Sequence, residues 1–61
     1  PAHIHFEVSA PGFAARIFEI VFEGDPFITA NMRRDSAFSV RPVEGGGRVT
    51  ERIVLTRSRE P

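Results

Sequence analysis

The chain has 61 residues, enough for one small domain, and it contains no cysteine, so neither a disulfide nor a thiolate metal site can stabilise it. Its composition, 41% hydrophobic and 26% charged, is that of a globular domain rather than a disordered chain. Eight basic residues balance eight acidic ones, which argues against a nucleic-acid partner or an anionic membrane surface, since both attract positive charge. No apolar run approaches the roughly 20 residues of a membrane span.

The first part of the sequence predicts an antiparallel hairpin. Apolar and polar residues alternate over residues 3–10, which is the period of a strand with one apolar face, and the alternation returns over residues 16–23. Pro11 and Gly12 lie between the two segments and form a turn signal. Because the connection is short, the two strands are expected to be neighbours in one sheet.

Beyond the hairpin, the sequence predicts a loop and two more extended segments. Asp25 could cap a short helical turn, but for residues 27–34 we favour an irregular loop. Residues 37–43 form a third extended segment. Three consecutive glycines at 45–47 predict a hairpin loop, and residues 48–56 are expected to form the last strand.

The predicted fold is therefore all-β, with about four mostly antiparallel strands. We expect a single partial domain over residues 1–61, with a frayed tail over residues 57–61. Four strands with one apolar face would leave that face uncovered. The chain is accordingly expected to be part of a β-sandwich whose other sheet lies elsewhere.

His3 and His5 are the first candidates for chemistry. Residues i and i+2 of a strand share a face and lie about 7 Å apart at Cα, so two imidazoles could converge on one metal ion. Imidazole suits iron, copper, zinc and nickel alike. Glu7 shares the face, but it lies about 14 Å from His3 at Cα, and we discount it as a third ligand. The alternative is a pair of histidines on a solvated strand face, and the spacing alone leaves both interpretations open.

Three short motifs resemble the intradiol ring-cleavage dioxygenases, which include the catechol, hydroxyquinol and protocatechuate 3,4-cleaving enzymes. They are PAHIHF at the start of the sequence, then VSAPGF, and then FEGDP. The resemblance covers residues 1–27 well. The segments SVRPVEGG and RIVLTR match more loosely, as a C-terminal part of the family's sheet.

The resemblance implies an enzyme with the β-sandwich fold of the intradiol dioxygenases. Its non-haem Fe(III) would be held by two histidines, two tyrosines and a hydroxide, with His3 and His5 as the histidines. A catechol-like substrate would bind as a chelating dianion, and O2 would cleave its ring to a muconic acid-type product. No catalytic residue beyond the metal ligands is implied. The full-length protein would be cytoplasmic, with the dimer contacts that are common in the family.

The same resemblance assigns two substrate-binding residues. A glutamine that lines the pocket in many members falls on Glu19, and Val21 follows two residues later on the same strand face. A carboxylate at this position would repel a catecholate dianion unless it were paired with an arginine or protonated.

The chain also departs from the family pattern, because it contains no tyrosine. Both ligating tyrosines of the family precede the histidine motif. We therefore expect this chain to be the C-terminal piece of a longer enzyme and to be inactive as 61 residues alone. Two alternatives remain: a non-catalytic β-sandwich module for binding or assembly, and a reworked site for another metal such as zinc or copper.

Overall fold

The computed structural model describes residues 1–59 and consists mostly of strands. The elements in chain order are β1 (His3–Val8), β2 (Arg16–Phe22), α1 (Ala30–Arg34) and β3 (Phe38–Arg41). The strands form one sheet in the order β1-β2-β3. This content agrees with the all-β prediction. The sheet is mixed, however, because β1 and β2 are antiparallel whereas β2 and β3 are parallel, so the mostly antiparallel arrangement holds for the hairpin alone.

The hairpin forms as the alternation predicts. Phe6 lies opposite Phe18 on one face of the sheet, and His5 lies opposite Glu19 on the other. At the turn Gly12 has a φ of 83°, a left-handed conformation that glycine adopts without the steric penalty of a Cβ. The strand period and the pairing of the two segments are therefore confirmed, but burial does not follow the two faces: Val21, opposite His3, is fully buried, whereas Ile4 on the other face is half exposed.

The small core lies on the central strand. Phe18, Ile20 and Val21 are the buried hydrophobic residues of the described chain. The ring of Phe6 stacks on that of Phe18 with a centroid separation of 5.3 Å, and the guanidinium of Arg16 lies 4.5 Å from the Phe18 centroid. Phe18 thus combines apolar burial with aromatic and cation–π contacts.

A short helix occupies residues 30–34 of the segment 27–34, for which the sequence favoured an irregular loop. The hydroxyl of Thr29 accepts a hydrogen bond from the Met32 N–H at 3.1 Å and caps α1. Asp25 does not cap this helix. The helix belongs to the crossover that a parallel strand pair requires. No helix within residues 1–59 is long and apolar enough to cross a membrane.

The fourth strand predicted over residues 48–56 is not found in the described part of the chain. Within the part of the chain that the structure describes, residues 49–56 form no strand. Their side chains and backbone instead contact β3: the Ser39 hydroxyl donates to the Glu51 carboxylate, and Arg41 Nε donates to the Thr50 carbonyl at 2.9 Å. The prediction fails because apolar alternation shows which way side chains point, not whether a partner strand exists. The wider sandwich remains a prediction.

The remaining backbone pairing consists of isolated bridges. Glu44 pairs with Arg48 around the three glycines, which confirms the predicted turn. Phe13 pairs with Arg57, and the Ser58 N–H donates to the Gly12 carbonyl at 2.9 Å. Residues 57–58 of the predicted frayed tail are thus joined to the first turn, whereas residues 60–61 lie outside the described part.

Candidate functional site

Strand β1 presents both histidines on one side of the sheet. The register places His3 opposite Val21 and His5 opposite Glu19. The side chains of His3 and His5 are 51% and 62% exposed, so both rings are open to solvent. This placement satisfies the metal hypothesis. It equally satisfies a solvated strand face, and the geometry of the pair alone does not separate the two.

The carboxylate of Glu19 lies beside both imidazoles. Its Oε1 is 3.5 Å from Nε2 of His3 and 3.6 Å from Nδ1 of His5. These distances are too long for good hydrogen bonds, and the contacts are ion pairs only when the imidazoles carry a proton on both nitrogens. The sequence indicated Glu19 as a substrate-binding residue, and the structure brings it together with the histidines.

The ring of His3 has a second partner, on its other nitrogen. Its Nδ1 lies 3.0 Å from the carbonyl oxygen of Pro1. A carbonyl can only accept, so we assign the proton to Nδ1, which leaves the lone pair of a neutral ring on Nε2. Metal-ligating histidines commonly donate their other ring N–H to a carbonyl or carboxylate in this way.

Asp25 links the turn after β2 to the start of β1. Its Oδ2 accepts from the Ala2 N–H at 3.0 Å, and its Oδ1 accepts from the Phe27 N–H at 2.9 Å. The Phe27 N–H is the main cause that lowers the pKa of Asp25 below 3.8; the Ala2 N–H adds to this effect and burial opposes it. The sequence pattern indicates Asp25 only as a possible cap, and it does not predict this link.

Glu23 has a different partner in the structure. Its carboxylate accepts two hydrogen bonds from the Arg33 guanidinium, at 2.5 and 3.1 Å. These bonds lower the pKa of Glu23 below 4.5 despite an opposing effect of burial. The bidentate pair joins α1 to the residue that follows β2.

The histidine pair could supply at most two ligands of a larger set. Within residues 1–59, no group of three or more histidine, cysteine, aspartate or glutamate side chains is arranged to hold a metal ion. The chain has no tyrosine, so tyrosinate ligands cannot come from it. Residues 1–59 enclose no cavity. Val21 is fully buried and has no exposed surface with which to contact a substrate, whereas Glu19 is 27% exposed.

The chain is similar to catechol 1,2-dioxygenase 2 of Acinetobacter lwoffii, with 49% identity over 41 residues. The match covers 67% of this chain but only 14% of that relative. No protein-family model matches the chain, and no solved structure does. The similarity therefore links a short stretch of sequence to a catechol dioxygenase. What the intact protein does is a matter for proposal.

Proposed function

We propose that this chain is part of a non-haem Fe(III) intradiol dioxygenase in which His3 and His5 supply two metal ligands. The observation that carries the proposal is the placement of both imidazoles on one exposed face of β1. The similarity to a catechol 1,2-dioxygenase supports it. The proposed reaction cleaves a catechol-type ring with O2 to a muconic acid-type product.

The donor set of this chain suits part of that chemistry. Nε2 of His3 is available because Nδ1 donates to the Pro1 carbonyl, and His5 presents a second imidazole on the same face. When bound, ferric iron would act as the Lewis acid that takes up the catecholate oxygens. The histidines contribute neutral ligands, and we propose that anionic tyrosinate ligands come from elsewhere in a longer polypeptide, called here the intact polypeptide. The 61 residues alone would be inactive.

Of the two proposed substrate-binding residues, Glu19 is the one expected to affect substrate binding directly. Its carboxylate lies next to both histidines, where a bound catecholate would bring further negative charge. Like charges repel, so Glu19 would weaken the binding of the dianion and bias the site towards less acidic substrates. Val21 can act only as buried support for this part of β2. A dimeric, cytoplasmic enzyme remains the expectation for the intact polypeptide.

A second candidate function is a non-catalytic β-sandwich module for binding or assembly. The observation that favours it is again Glu19, because its carboxylate lies beside both imidazoles and would pair with their protonated forms without any metal. A third candidate is another metal on a reworked site. A further histidine ligand in the intact polypeptide would favour zinc or copper, whereas tyrosines would favour ferric iron.

Oxygen uptake with catechol tests the proposal. The intact polypeptide is expected to consume O2, and His3→Ala or His5→Ala is expected to abolish the uptake. Glu7→Gln is the matched control, since Glu7 lies on the same face of β1 but is not a proposed ligand. Full activity in both histidine variants would reject the assignment.

A further inference from the structure

A single peptide unit connects Asp25 with His3. The Ala2 N–H donates to Oδ2 of Asp25 at 3.0 Å, and the Pro1 carbonyl accepts from Nδ1 of His3 at 3.0 Å. This N–H and this carbonyl belong to the same peptide bond. Because a peptide unit is planar and rigid, a partner that holds its N–H also orients its carbonyl.

Asp25 is itself held firmly in the turn after β2. Its other carboxylate oxygen accepts from the Phe27 N–H at 2.9 Å, and its own N–H donates to the Phe22 carbonyl at 3.1 Å. The turn is thereby anchored to the end of the central strand. The Asp25 carboxylate is therefore held in place, and it orients the Pro1–Ala2 peptide through its hydrogen bond with the Ala2 N–H.

The two histidines differ in the partner of their Nδ1 atoms. Nδ1 of His3 has a carbonyl acceptor at 3.0 Å, whereas the charged neighbour of Nδ1 of His5 is the Glu19 carboxylate at 3.6 Å, beyond good hydrogen-bond distance. A carboxylate that hydrogen-bonds a peptide N–H also polarises the carbonyl at the other end and strengthens the bond made there. Asp25 can therefore act on His3 without acting on His5.

We propose that Asp25 is a positioning residue for His3: acting through the Pro1–Ala2 peptide, it favours the His3 proton on Nδ1 over Nε2, where the Glu19 carboxylate 3.5 Å away would otherwise attract it. The inference deepens the proposed function and rests on it only in taking Nε2 as the metal-binding atom. The positioning requires no metal.

The test is nitrogen NMR of the histidine rings in the metal-free intact polypeptide. In the unmodified protein, His3 is expected in the Nδ1–H form. In Asp25→Ala, His3 is expected to shift towards a tautomer mixture with a large Nε2–H share, while His5 keeps its spectrum. Hydrogen exchange at the Ala2 amide is expected to accelerate about tenfold or more, as for a lost hydrogen bond to a charged acceptor.

Two further variants make the test decisive. Asp25→Asn preserves the size of the side chain and removes its charge, so it should fold. It should shift the His3 tautomer population in the same direction as Asp25→Ala, but by less. If Asp25→Ala does not fold, Asp25→Asn tests the proposal on its own. Glu23→Gln is the control, because it weakens the pair with Arg33 in the same turn and should leave the His3 tautomer unchanged.

Two results would overturn the inference. One is a His3 ring that stays in the Nδ1–H form in the folded Asp25 variants. The other is an equal change at His3 and His5, which would indicate general loosening of the sheet. The metal is tested separately: an intact polypeptide that binds no iron but shows the selective His3 shift would reject the proposed function and support the inference.

Discussion

Glu19 and His5 face each other across the β1–β2 pair, and Oε1 of Glu19 lies 3.6 Å from Nδ1 of His5. The same oxygen lies 3.5 Å from Nε2 of His3. One carboxylate thus lies beside both proposed ligands. The arrangement follows from the hairpin register, which places Glu19 directly opposite the second histidine.

Replacing this carboxylate should strengthen the binding of a catecholate. Two unit charges about 5 Å apart repel by about 3 kcal/mol at an effective dielectric constant of 20, and exposure to solvent reduces this energy. We therefore expect Glu19→Gln to lower the KM for catechol about tenfold in the intact polypeptide. Steady-state oxygen uptake at several catechol concentrations measures the effect. Glu7→Gln should leave KM unchanged, and an equal fall in both variants would show that the effect is not local to Glu19.

Phe18 is expected to contribute strongly to the stability of the hydrophobic core. The residue is 1% exposed and stacks on Phe6, so Phe18→Ala should remove both buried area and an aromatic contact. We expect the free energy of unfolding to fall by about 3 to 5 kcal/mol. Phe27→Ala is the control, because Phe27 is 72% exposed and its loss should change stability by less than about 0.5 kcal/mol. Denaturant unfolding measures both, and similar losses in the two variants would contradict the assignment of the core.

The contact between Ser39 and Glu51 makes stability depend on pH. The Ser39 hydroxyl is the largest cause that lowers the pKa of Glu51 below 4.5, with burial opposing it and the Arg52 N–H and nearby arginines adding to it. The folded state therefore binds this proton less readily than the unfolded state. The stabilisation is present above the ordinary pKa of a glutamate and is lost as the pH falls through the lowered pKa of Glu51.

Ser39→Ala should weaken the dependence of the free energy of unfolding on pH. We expect the variant to lose less stability than the unmodified protein as the pH falls below 4.5, and to be less stable above it. Unfolding curves across this range measure the difference. Ser36→Ala, at an exposed serine just before β3, serves as the control. An unchanged pH profile in Ser39→Ala would show that the Ser39 contact does not stabilise the ionised Glu51.

The hairpin could be predicted from the sequence because a period of two defines both the strands and their faces. Alternation carries no information about neighbours, however. Residues 48–56 were expected to form a strand, yet in the structure they contact β3 through Glu51 and Thr50 without joining the sheet. The five-residue helix α1 was also missed, because its signal is limited to the Thr29 cap and one turn.

The candidate site was predictable only in part. The spacing of His3 and His5 places both rings on one face, which the register confirms. The position of Glu19 beside them depends on which residues pair across the turn, and a shift of one residue would move it to the other face. The bond from Asp25 to Ala2 joins residues 23 positions apart and depends on the folded path of the turn, so local sequence patterns could not reveal it.

The central claim is that His3 and His5 are ligands of a ferric iron with tyrosinate partners. The most direct test is the visible absorption spectrum of the intact polypeptide purified with its native metal. We predict a red-brown protein with a broad visible band, which His3→Ala and His5→Ala should remove. A protein that stays colourless after iron is supplied would contradict the claim and favour the non-catalytic module.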